Sequence, residues 1–350
     1  MRPADEAWIG GAPVGSLEVF VLPSGNGDCV LVRAPGGREL LIDAGDTELR
    51  APGDPERLRQ QLQELIEPPL EALILTHPDP AHLGSAPWLL REVGVEELVY
   101  HGLPSKLKED AAILEAAAAH PPRYVLNVAE STDAVLPVHF APAPDLEVAV
   151  LRVPGYGTFG RVDEDLAVVR LRFGSTVWLF MSDATRTVER ALVADPRLAP
   201  LVDCDFLLVG CHGGSNVCTR EFLARATPQV AAISCGRPQD GLNAYEGFPR
   251  RDTVEGLEGW LAERAGPPRT ILVCDDEVPL EYSEEEEAMI EQLSISGSLT
   301  TSPMLFSQSV DPGDWLEHVL ERALYVTEGR RRLRFTSEGE RVRWDEDSDR

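Results

Sequence analysis

The chain has 350 residues, and 43% of them are hydrophobic, which is enough for a substantial core in one large domain or two modest ones. Its 59 acidic side chains against 32 basic ones give a formal net charge of −27, a field that repels polyanions. Long nucleic acid is therefore an unfavourable partner, because phosphate binding draws on lysine and arginine. A small anionic substrate or a protein partner fits this charge better.

The cysteines and the chain start bear on location. The six cysteines stand at scattered positions and not at the spacing of a disulfide scaffold, which predicts reduced thiols and a cytoplasmic location. The first residues lack the basic start and apolar stretch of a secretory signal, and no apolar run approaches the length of a membrane span. We therefore expect no membrane segment in this sequence.

Strand and helix patterns alternate in the first part of the chain. Residues 16–22, 29–33 and 39–42 are predicted strands, and apolar residues at helical spacing predict an amphipathic helix over 54–66. A short apolar strand at 72–75 follows. It leads directly into the most informative stretch of the sequence.

That stretch is Thr76-His77-Pro78-Asp79-Pro80-Ala81-His82, a proline-broken loop with two histidines and a carboxylate. Imidazole and carboxylate are ligands of zinc, and a loop that leaves a buried strand can direct several of them at one point. The chain has only seven histidines, so this spacing is unusual for chance. It predicts a metal site. The alternative is that both histidines are ordinary surface or helix-cap residues.

The middle of the chain continues the same alternation. Residues 86–93 and 106–119 are predicted helices, and 98–100, 124–128 and 146–153 are predicted strands. This pattern is typical of a mixed α/β domain.

Two later strand ends offer further candidate ligands. A predicted hairpin of strands 168–173 and 176–181 ends at Asp183, and a carboxylate there needs a partner because burying it unpaired costs several kcal/mol. The apolar strand 206–209 leads into Cys211 and His212. His212 is the candidate fifth ligand, with the thiolate of Cys211 as an alternative soft ligand if the register shifts by one. In the next turn, Ser215 could hydrogen-bond an anionic substrate.

The last quarter of the sequence is less informative. We predict a single domain with its core at about 16–264, an insertion at 275–320, and closing strands with an acidic tail at 321–350. Within this region, residues 315–324 are a predicted helix.

Several of these stretches together resemble the metallo-β-lactamase superfamily, and more specifically the soluble domain of ComEC-type competence proteins. The metal loop is similar to the H-x-D-x-D-H form of the family's second motif. Five further stretches match in the family's order, namely Gly25-Asn26-Gly27-Asp28, Leu41-Ile42-Asp43-Ala44-Gly45, Phe180-Met181-Ser182-Asp183, Cys211-His212-Gly213-Gly214 and Asn243-Ala244-Tyr245. The resemblance implies an αββα sandwich, in which two mixed β-sheets pack face to face with helices outside and metal loops along one edge.

The resemblance also implies roles for individual residues. It implies that one or two zinc ions, with manganese as the alternative, are held by His77, Asp79, His82, Asp183 and His212. Asp79 and Asp183 would take part in catalysis. Asp43 would support the metal loop through hydrogen bonds without binding metal itself.

Three positions depart from the family pattern. Ala81 stands where the family has an aspartate that binds the second metal. Cys211 replaces the first histidine of the H-H-G turn, and Phe248 falls near a histidine that often follows N-x-Y-G in the family. A second metal position would therefore lack one of its usual ligands.

Two functions are consistent with this sequence. The first is a metal-dependent hydrolase that acts on a phosphodiester or nucleotide-like substrate through water activated by the metal. The second is a catalytically degenerate pseudo-hydrolase that serves as a partner-binding or regulatory module in a multi-protein system, with the insertion at 275–320 as its natural contact. Metal content separates the two.

Overall fold

A computed structural model describes the fold of most of the chain. The described residues are 15–45, 54–101, 108–139, 145–153, 166–215, 217–238, 243–275, 310–329 and 331–345. Three predicted features lie partly or wholly outside them, namely residues 276–309 of the insertion, the first two residues of the helix at 106–119, and the end of the acidic tail after residue 345.

Among the described residues, one sheet has eight strands in the order β17-β16-β1-β2-β3-β4-β5-β6. These strands are β1 (Leu17–Val21), β2 (Val30–Arg33), β3 (Glu39–Ile42), β4 (Leu70–Ile74), β5 (Val95–Tyr100), β6 (Tyr124–Asn127), β16 (Leu333–Ser337) and β17 (Val342–Asp345). The pairs from β3 to β6 are parallel, and the others are antiparallel. This first sheet is therefore mixed.

A second sheet has seven strands in the order β15-β12-β11-β10-β9-β8-β7. They are β7 (Val135–Pro137), β8 (Leu146–Val153), β9 (Leu166–Phe173), β10 (Thr176–Phe180), β11 (Phe206–Leu208), β12 (Val230–Ile233) and β15 (Leu324–Val326). Strands β10, β11, β12 and β15 run parallel, whereas β7 to β10 pair antiparallel. Parallel strands of this kind are apolar on both faces, as the fully buried β10 shows.

The two sheets pack face to face over a common core. Inward-facing side chains of both sheets form one apolar cluster, in which Trp178, Phe206 and Phe335 make close ring contacts. Two more apolar clusters cover the outer faces of the sheets, one on each side. The layers are therefore helix, sheet, sheet and helix, and the predicted αββα sandwich is confirmed.

The helices lie on the outer faces because each buries one apolar stripe. The first sheet is covered by α1 (Asp54–Leu65), α2 (Pro80–Leu83), α3 (Ala86–Trp88) with the π turn Leu89–Val93, and α4 (Lys108–Ala119). The second sheet is covered mainly by α5 (Arg186–Ala194), α6 (Arg220–Ala226) and α8 (Arg251–Glu258). A single turn of helix, α7 (Asn243–Glu246), precedes α8. Among the described residues, no helix is both long and apolar enough to cross a membrane.

A separate hairpin corrects one prediction. Residues predicted as a helix over 315–324 instead form β14 (Trp315–Leu320), which pairs antiparallel with β13 (Arg269–Cys274). Every residue of β13 pairs in this ladder with a residue far away in sequence, and that pairing outweighs the local helical pattern. The two strands border the segment 276–309.

Candidate metal centre

The candidate ligands meet because parallel strands of both sheets end at one edge of the sandwich. In the first sheet, Asp43 follows β3 and His77 follows β4. In the second sheet, Asp183 follows β10 and His212 follows β11. Carboxyl ends of parallel strands are the usual place for sites in α/β folds. His82 joins them from α2, whose start at Pro80 turns the loop back toward β3.

Asp183 is the centre of the cluster. Its Oδ2 lies 3.3 Å from Nε2 of His77. Its Oδ1 lies 3.2 Å from Nε2 of His82 and 3.3 Å from Nε2 of His212. All four side chains are buried. The structure therefore brings together four of the five predicted ligands, His77, His82, Asp183 and His212.

Two of the histidines are held by their other ring nitrogen. Nδ1 of His82 is 2.8 Å from Oδ2 of Asp43, and Nδ1 of His212 is 3.0 Å from the backbone oxygen of Ser234. A carboxylate and a carbonyl only accept, so both histidines carry a proton on Nδ1, which leaves Nε2 as the atom that faces Asp183. This is the arrangement of metal-binding histidines, in which outer partners orient the ring.

The cluster fits a metal ion by two tests. Nε2 of His77, Nε2 of His82 and Oδ1 of Asp183 are buried without a hydrogen-bond partner, which natural structures avoid unless an ion or water supplies one. Zinc ligands at about 2.0–2.1 Å in tetrahedral geometry lie roughly 3.3 Å apart, which matches the separations around Asp183. The same three side chains form a compact candidate ligand group, with donor atoms within 4.8 Å of one another.

The electrostatics of the cluster also favour a cation. Burial by itself would raise the pKa of Asp183, but His82, His212 and His77 outweigh it and hold that pKa well below its usual range. Burial would lower the pKa of His82, yet Asp183 and Asp43 raise it well above its ordinary value. The pKa of His212 reaches about 9, because Asp183 again outweighs burial. Without metal, a second proton on His82 and on His212 supplies positive charge beside Asp183.

The backbone at the site is unusual. Around the site, four of the residues other than glycine that have φ in the left-handed region are Asp43 (+57°), Ser182 (+52°), Cys211 (+45°) and His212 (+53°). This conformation costs about 1–2 kcal/mol per residue and persists only where surrounding contacts enforce it. One such contact is the hydrogen bond from the backbone nitrogen of Cys211 to the backbone oxygen of Ser182, at 2.8 Å. Strain of this kind is typical of functional sites.

The remaining predicted residues lie near the cluster in different settings. Asp79 is half-buried and caps α2, where its Oδ1 accepts from the backbone nitrogen of Ala81 at 2.8 Å. It is outside the compact ligand group, and its role as a ligand stays a prediction. Cys211 is half-buried, and burial raises the pKa of its thiol well above the ordinary value. Ser215 lies half-buried in the turn after Gly214.

Two of the departures from the family pattern are also at the site. Ala81 is buried and packs against Gly27. A Cβ added to Gly27 would stand 2.0 Å from the backbone oxygen of Ala81. The ring of Phe248 lies 5.9 Å from the ring of His212, measured between centroids. An apolar surface therefore borders His212 where the family pattern suggests a histidine.

Four supporting residues were not predicted from the sequence. Thr76 donates its hydroxyl to Asp43, at 2.8 Å from Oδ2, and its backbone nitrogen also donates to Asp43. Ser182 lies 2.7 Å from the Thr76 hydroxyl, and Ser234 provides the carbonyl that holds His212. Asp28 is buried beside His82 and Asp43 in a second compact group. Thr76, Ser182 and Asp28 lie in stretches that the sequence analysis quotes, but nothing in those stretches indicated their supporting roles, and Ser234 lies in none of them.

Comparison with known proteins agrees with this geometry. A family model described as the metallo-β-lactamase superfamily matches residues 22–237, which is more than half of the chain. The chain belongs to the metallo-β-lactamase superfamily. The matched range includes both sheets' ligand-bearing strand ends, from Asp43 to His212.

One curated relative and two solved structures illustrate the similarity. ComE operon protein 3 of Bacillus subtilis (strain 168) is 30% identical over 234 residues, which cover 63% of this chain and 28% of that protein. A metal-dependent hydrolase of the β-lactamase superfamily has 9% identity and a TM-score of 0.41, with 70% of this chain and 93% of that chain covered. A metallo-β-lactamase of Cronobacter sakazakii has 16% identity and a TM-score of 0.34, with 58% and 79% covered. This chain therefore spans less than a third of its curated relative.

Proposed function

We propose that the chain is a metal-dependent hydrolase that binds one zinc ion between His77, His82 and Asp183, with His212 beside them. The observation that carries this proposal is the common orientation of the histidine rings. His82 and His212 are held at Nδ1, and Nε2 of all three histidines points at the single carboxylate of Asp183. Three protein ligands with an open position are what catalytic zinc sites provide.

The chemistry asked of this site is hydrolysis. Bound zinc would lower the pKa of water toward neutrality and polarise a phosphoryl or acyl oxygen. The protein's own part is to hold the ligands rigidly and to place the reacting group at the end of the sandwich. Asp43 and the Ser234 carbonyl orient the rings, and Asp183 supplies the negative charge that balances the ion.

A phosphodiester or nucleotide-like substrate is the proposed class, and it rests on the resemblance to the competence-protein domain. The negative charge of the chain favours a small substrate over a long polyanion. Asp28, Asp183 and Glu246 all interact electrostatically with His212. Acidic side chains are therefore concentrated at the site, and the protein as a whole is also acidic. A polyanion would meet this field along its length, whereas a small anion needs only the metal's charge. The proposed cytoplasmic location rests on the free cysteines.

A second candidate function is a pseudo-hydrolase that binds a protein partner. The observation that favours it is Ala81, which gives no carboxylate for a second ion. Gly27 packs directly on the backbone of Ala81. This candidate predicts a stable fold without metal and partner binding that depends on residues 275–320.

Metal content distinguishes the candidates. We would purify the protein without chelator and measure zinc and manganese per chain by elemental analysis, for the wild type, Asp183→Asn and Ala81→Asp. One equivalent in the wild type, lost in Asp183→Asn, supports the hydrolase. Asp133→Asn is the matched control, because this exposed carboxylate precedes β7, which is three strands away from β10 in the second sheet.

Activity is tested on the same proteins. The probe is a chromogenic phosphodiester such as bis(p-nitrophenyl) phosphate, followed by single nucleotides. We expect hydrolysis that requires zinc, disappears in Asp183→Asn and persists in Asp133→Asn. No metal in the wild type, or metal without hydrolysis of phosphodiesters and esters, would reject the hydrolase in favour of the partner-binding candidate.

A further inference from the structure

Ser182 occupies an unusual place between two ligand-bearing loops. It lies just after β10, beside Asp183, is buried, and has a φ of +52°, a conformation that serine rarely adopts. Its backbone oxygen accepts from the backbone nitrogen of Cys211 at 2.8 Å. Its hydroxyl crosses to the other sheet, where it lies 2.7 Å from Oγ1 of Thr76 and 3.2 Å from Nδ1 of His77.

The hydroxyls form a chain whose direction can be worked out. Oγ1 of Thr76 lies 3.0 and 2.8 Å from Oδ1 and Oδ2 of the Asp43 carboxylate. The same carboxylate also accepts the hydrogen bond from Nδ1 of His82. A carboxylate accepts and does not donate, so the single hydroxyl proton of Thr76 points to Asp43. Thr76 is then an acceptor toward its other neighbours.

The proton of Ser182 follows from that step. The contact between the Ser182 and Thr76 hydroxyls is 2.7 Å, which is the length of a good O–H···O hydrogen bond. Because the Thr76 proton is committed to Asp43, the proton in this contact comes from Ser182. Ser182 is thereby left as an acceptor, with its free lone pair available to Nδ1 of His77.

His77 is therefore surrounded by acceptors at Nδ1. Oγ1 of Thr76 lies 3.1 Å from this nitrogen and Oγ of Ser182 lies 3.2 Å from it. Nδ1 of the ring must therefore carry a proton, and the lone pair of Nε2 is then the one available to a metal ion held beside Asp183. If Ser182 donated to His77 instead, two oxygens 2.7 Å apart would have no proton between them, which is unfavourable.

We propose that Ser182 is a positioning residue whose hydroxyl sets the direction of the chain from His77 through Ser182 and Thr76 to Asp43, so that His77 presents an unprotonated Nε2 to the metal. His82 and His212 obtain the same tautomer from a carboxylate and a carbonyl, which admit no other choice. A hydroxyl can either donate or accept, so His77 is the one of these three histidines whose tautomer depends on the direction of the hydroxyl chain. The inference deepens the proposed function and rests on it for the metal's role.

The first test measures the tautomer of His77 in metal-free protein. Histidine-selective ¹⁵N labelling and two-bond ¹⁵N–¹H correlation spectra at pH 8 distinguish Nδ1–H from Nε2–H, with His77→Gln used to assign the signals. We expect Nδ1 of His77 to carry a proton in the wild type, and a population with the proton on Nε2 alone to appear in Ser182→Gly. A wild type in which His77 carries a proton on Nε2 and none on Nδ1 would overturn the proposal whatever the variants do, including when they fail to fold.

The second test measures the affinity for zinc alone by competition with a chromogenic chelator. We expect Ser182→Gly to bind zinc about 10–100-fold more weakly, the usual effect of losing an orienting partner. This variant removes the hydroxyl and also relieves the backbone, since glycine adopts this φ freely. If Ser182 served the backbone alone, Ser182→Gly would keep both the affinity and the tautomer, and the proposal would be wrong.

A matched control removes another buried hydroxyl. Ser24→Ala deletes a hydroxyl that donates to the backbone oxygen of Gly27 at 2.7 Å and, among the described residues, has no hydrogen bond to a histidine ring. We expect it to leave the proton on Nδ1 of His77 in place. A wild type that binds no zinc would reject the proposed function, while the tautomer in the metal-free protein would still decide the role of Ser182.

Discussion

Asp43→Asn is the sharpest test of how the site is built. The new amide side chain would still accept from the backbone nitrogen and hydroxyl of Thr76 through its oxygen. Its NH₂ group, however, would replace the oxygen that lies 2.8 Å from Nδ1 of His82. Two N–H donors cannot face each other, so His82 must move its proton to Nε2, the atom directed at Asp183, or lose the contact.

The magnitude follows from the bonds at stake. One buried hydrogen bond to a charged acceptor contributes about 1.5–3 kcal/mol. Loss of an outer partner of a metal-binding histidine weakens metal affinity by about 10–100-fold, which corresponds to about 1.4–2.8 kcal/mol. The hydrogen-bond energy and the free energy of the lost metal affinity are therefore of similar size. We therefore expect Asp43→Asn to lose about 2 kcal/mol of stability without metal, and one to two orders of magnitude of zinc affinity.

The assay combines urea unfolding of metal-free protein with zinc competition at pH 7.5. Glu189→Gln is the matched control, because Glu189 is also a buried carboxylate but accepts from the backbone nitrogens of Cys218 and Thr219 at the start of α6. It should lower stability and leave zinc affinity unchanged. A folded Asp43→Asn protein that binds zinc within about twofold of the wild type would refute the reasoning.

Three further outcomes are expected. The metal-free protein should lose on the order of 2–3 kcal/mol of stability between pH 6 and 9.5. The pKa of His212 is raised to about 9, so its contribution is fully present below the unfolded pKa near 6.5 and is lost as pH rises through the folded pKa. Urea unfolding across this range checks the loss, and a flat profile contradicts it. Gly27→Ala should destabilise the protein by more than about 2 kcal/mol in thermal unfolding, because the new Cβ would stand 2.0 Å from the backbone oxygen of Ala81. Its control is Gly256→Ala in α8, where the new Cβ meets open space. This variant should be neutral or stabilising by about 0.5–1 kcal/mol. Ala81→Asp should raise zinc from one equivalent toward two by elemental analysis if that carboxylate is all the second position lacks, and unchanged stoichiometry would show that other ligands are missing too.

The low-pH side of the metal-free profile has the opposite cause. The pKa of Asp183 is held well below its usual range, so its contribution is present above the unfolded value of about 3.8 and is lost as pH falls. Zinc-loaded protein should instead become more stable from pH 5 to 8, because protons compete with the metal for the histidines. The loaded and metal-free forms should therefore differ in the sign of their pH dependence near neutrality.

Most strands and the candidate ligands could be predicted from the sequence because both leave local marks, and the resemblance to the superfamily supplied the sandwich arrangement. Strands such as β10 are short apolar runs between turn residues, and His77 and His82 stand in one unusual loop. The helix predicted at 315–324 fails for the opposite reason. A six-residue segment with mixed polarity fits either period, and its pairing with β13, which is distant in sequence, decides the outcome.

The roles of the supporting residues could not be found from the sequence. Thr76, Ser182 and Ser234 are common residue types at ordinary strand ends, and their roles arise only when three strand ends from two sheets meet. Ser234 acts through its backbone oxygen, which every residue has. A sequence pattern records which side chains are unusual, whereas orientation of a histidine depends on neighbours in space.

The backbone gives a further reason to prefer the hydrolase over a degenerate module. Asp43, Ser182, Cys211 and His212 hold left-handed conformations at a total cost of several kcal/mol, a large share of the net stability of a typical domain. Hydrogen bonds offset part of this cost, but three buried donor and acceptor atoms around Asp183 still lack a partner. A scaffold kept only for binding gains nothing from either feature. A metal ion satisfies the unpartnered atoms directly, and its binding energy offsets the strain, so we expect metal to raise the stability of this fold as well as to supply its chemistry.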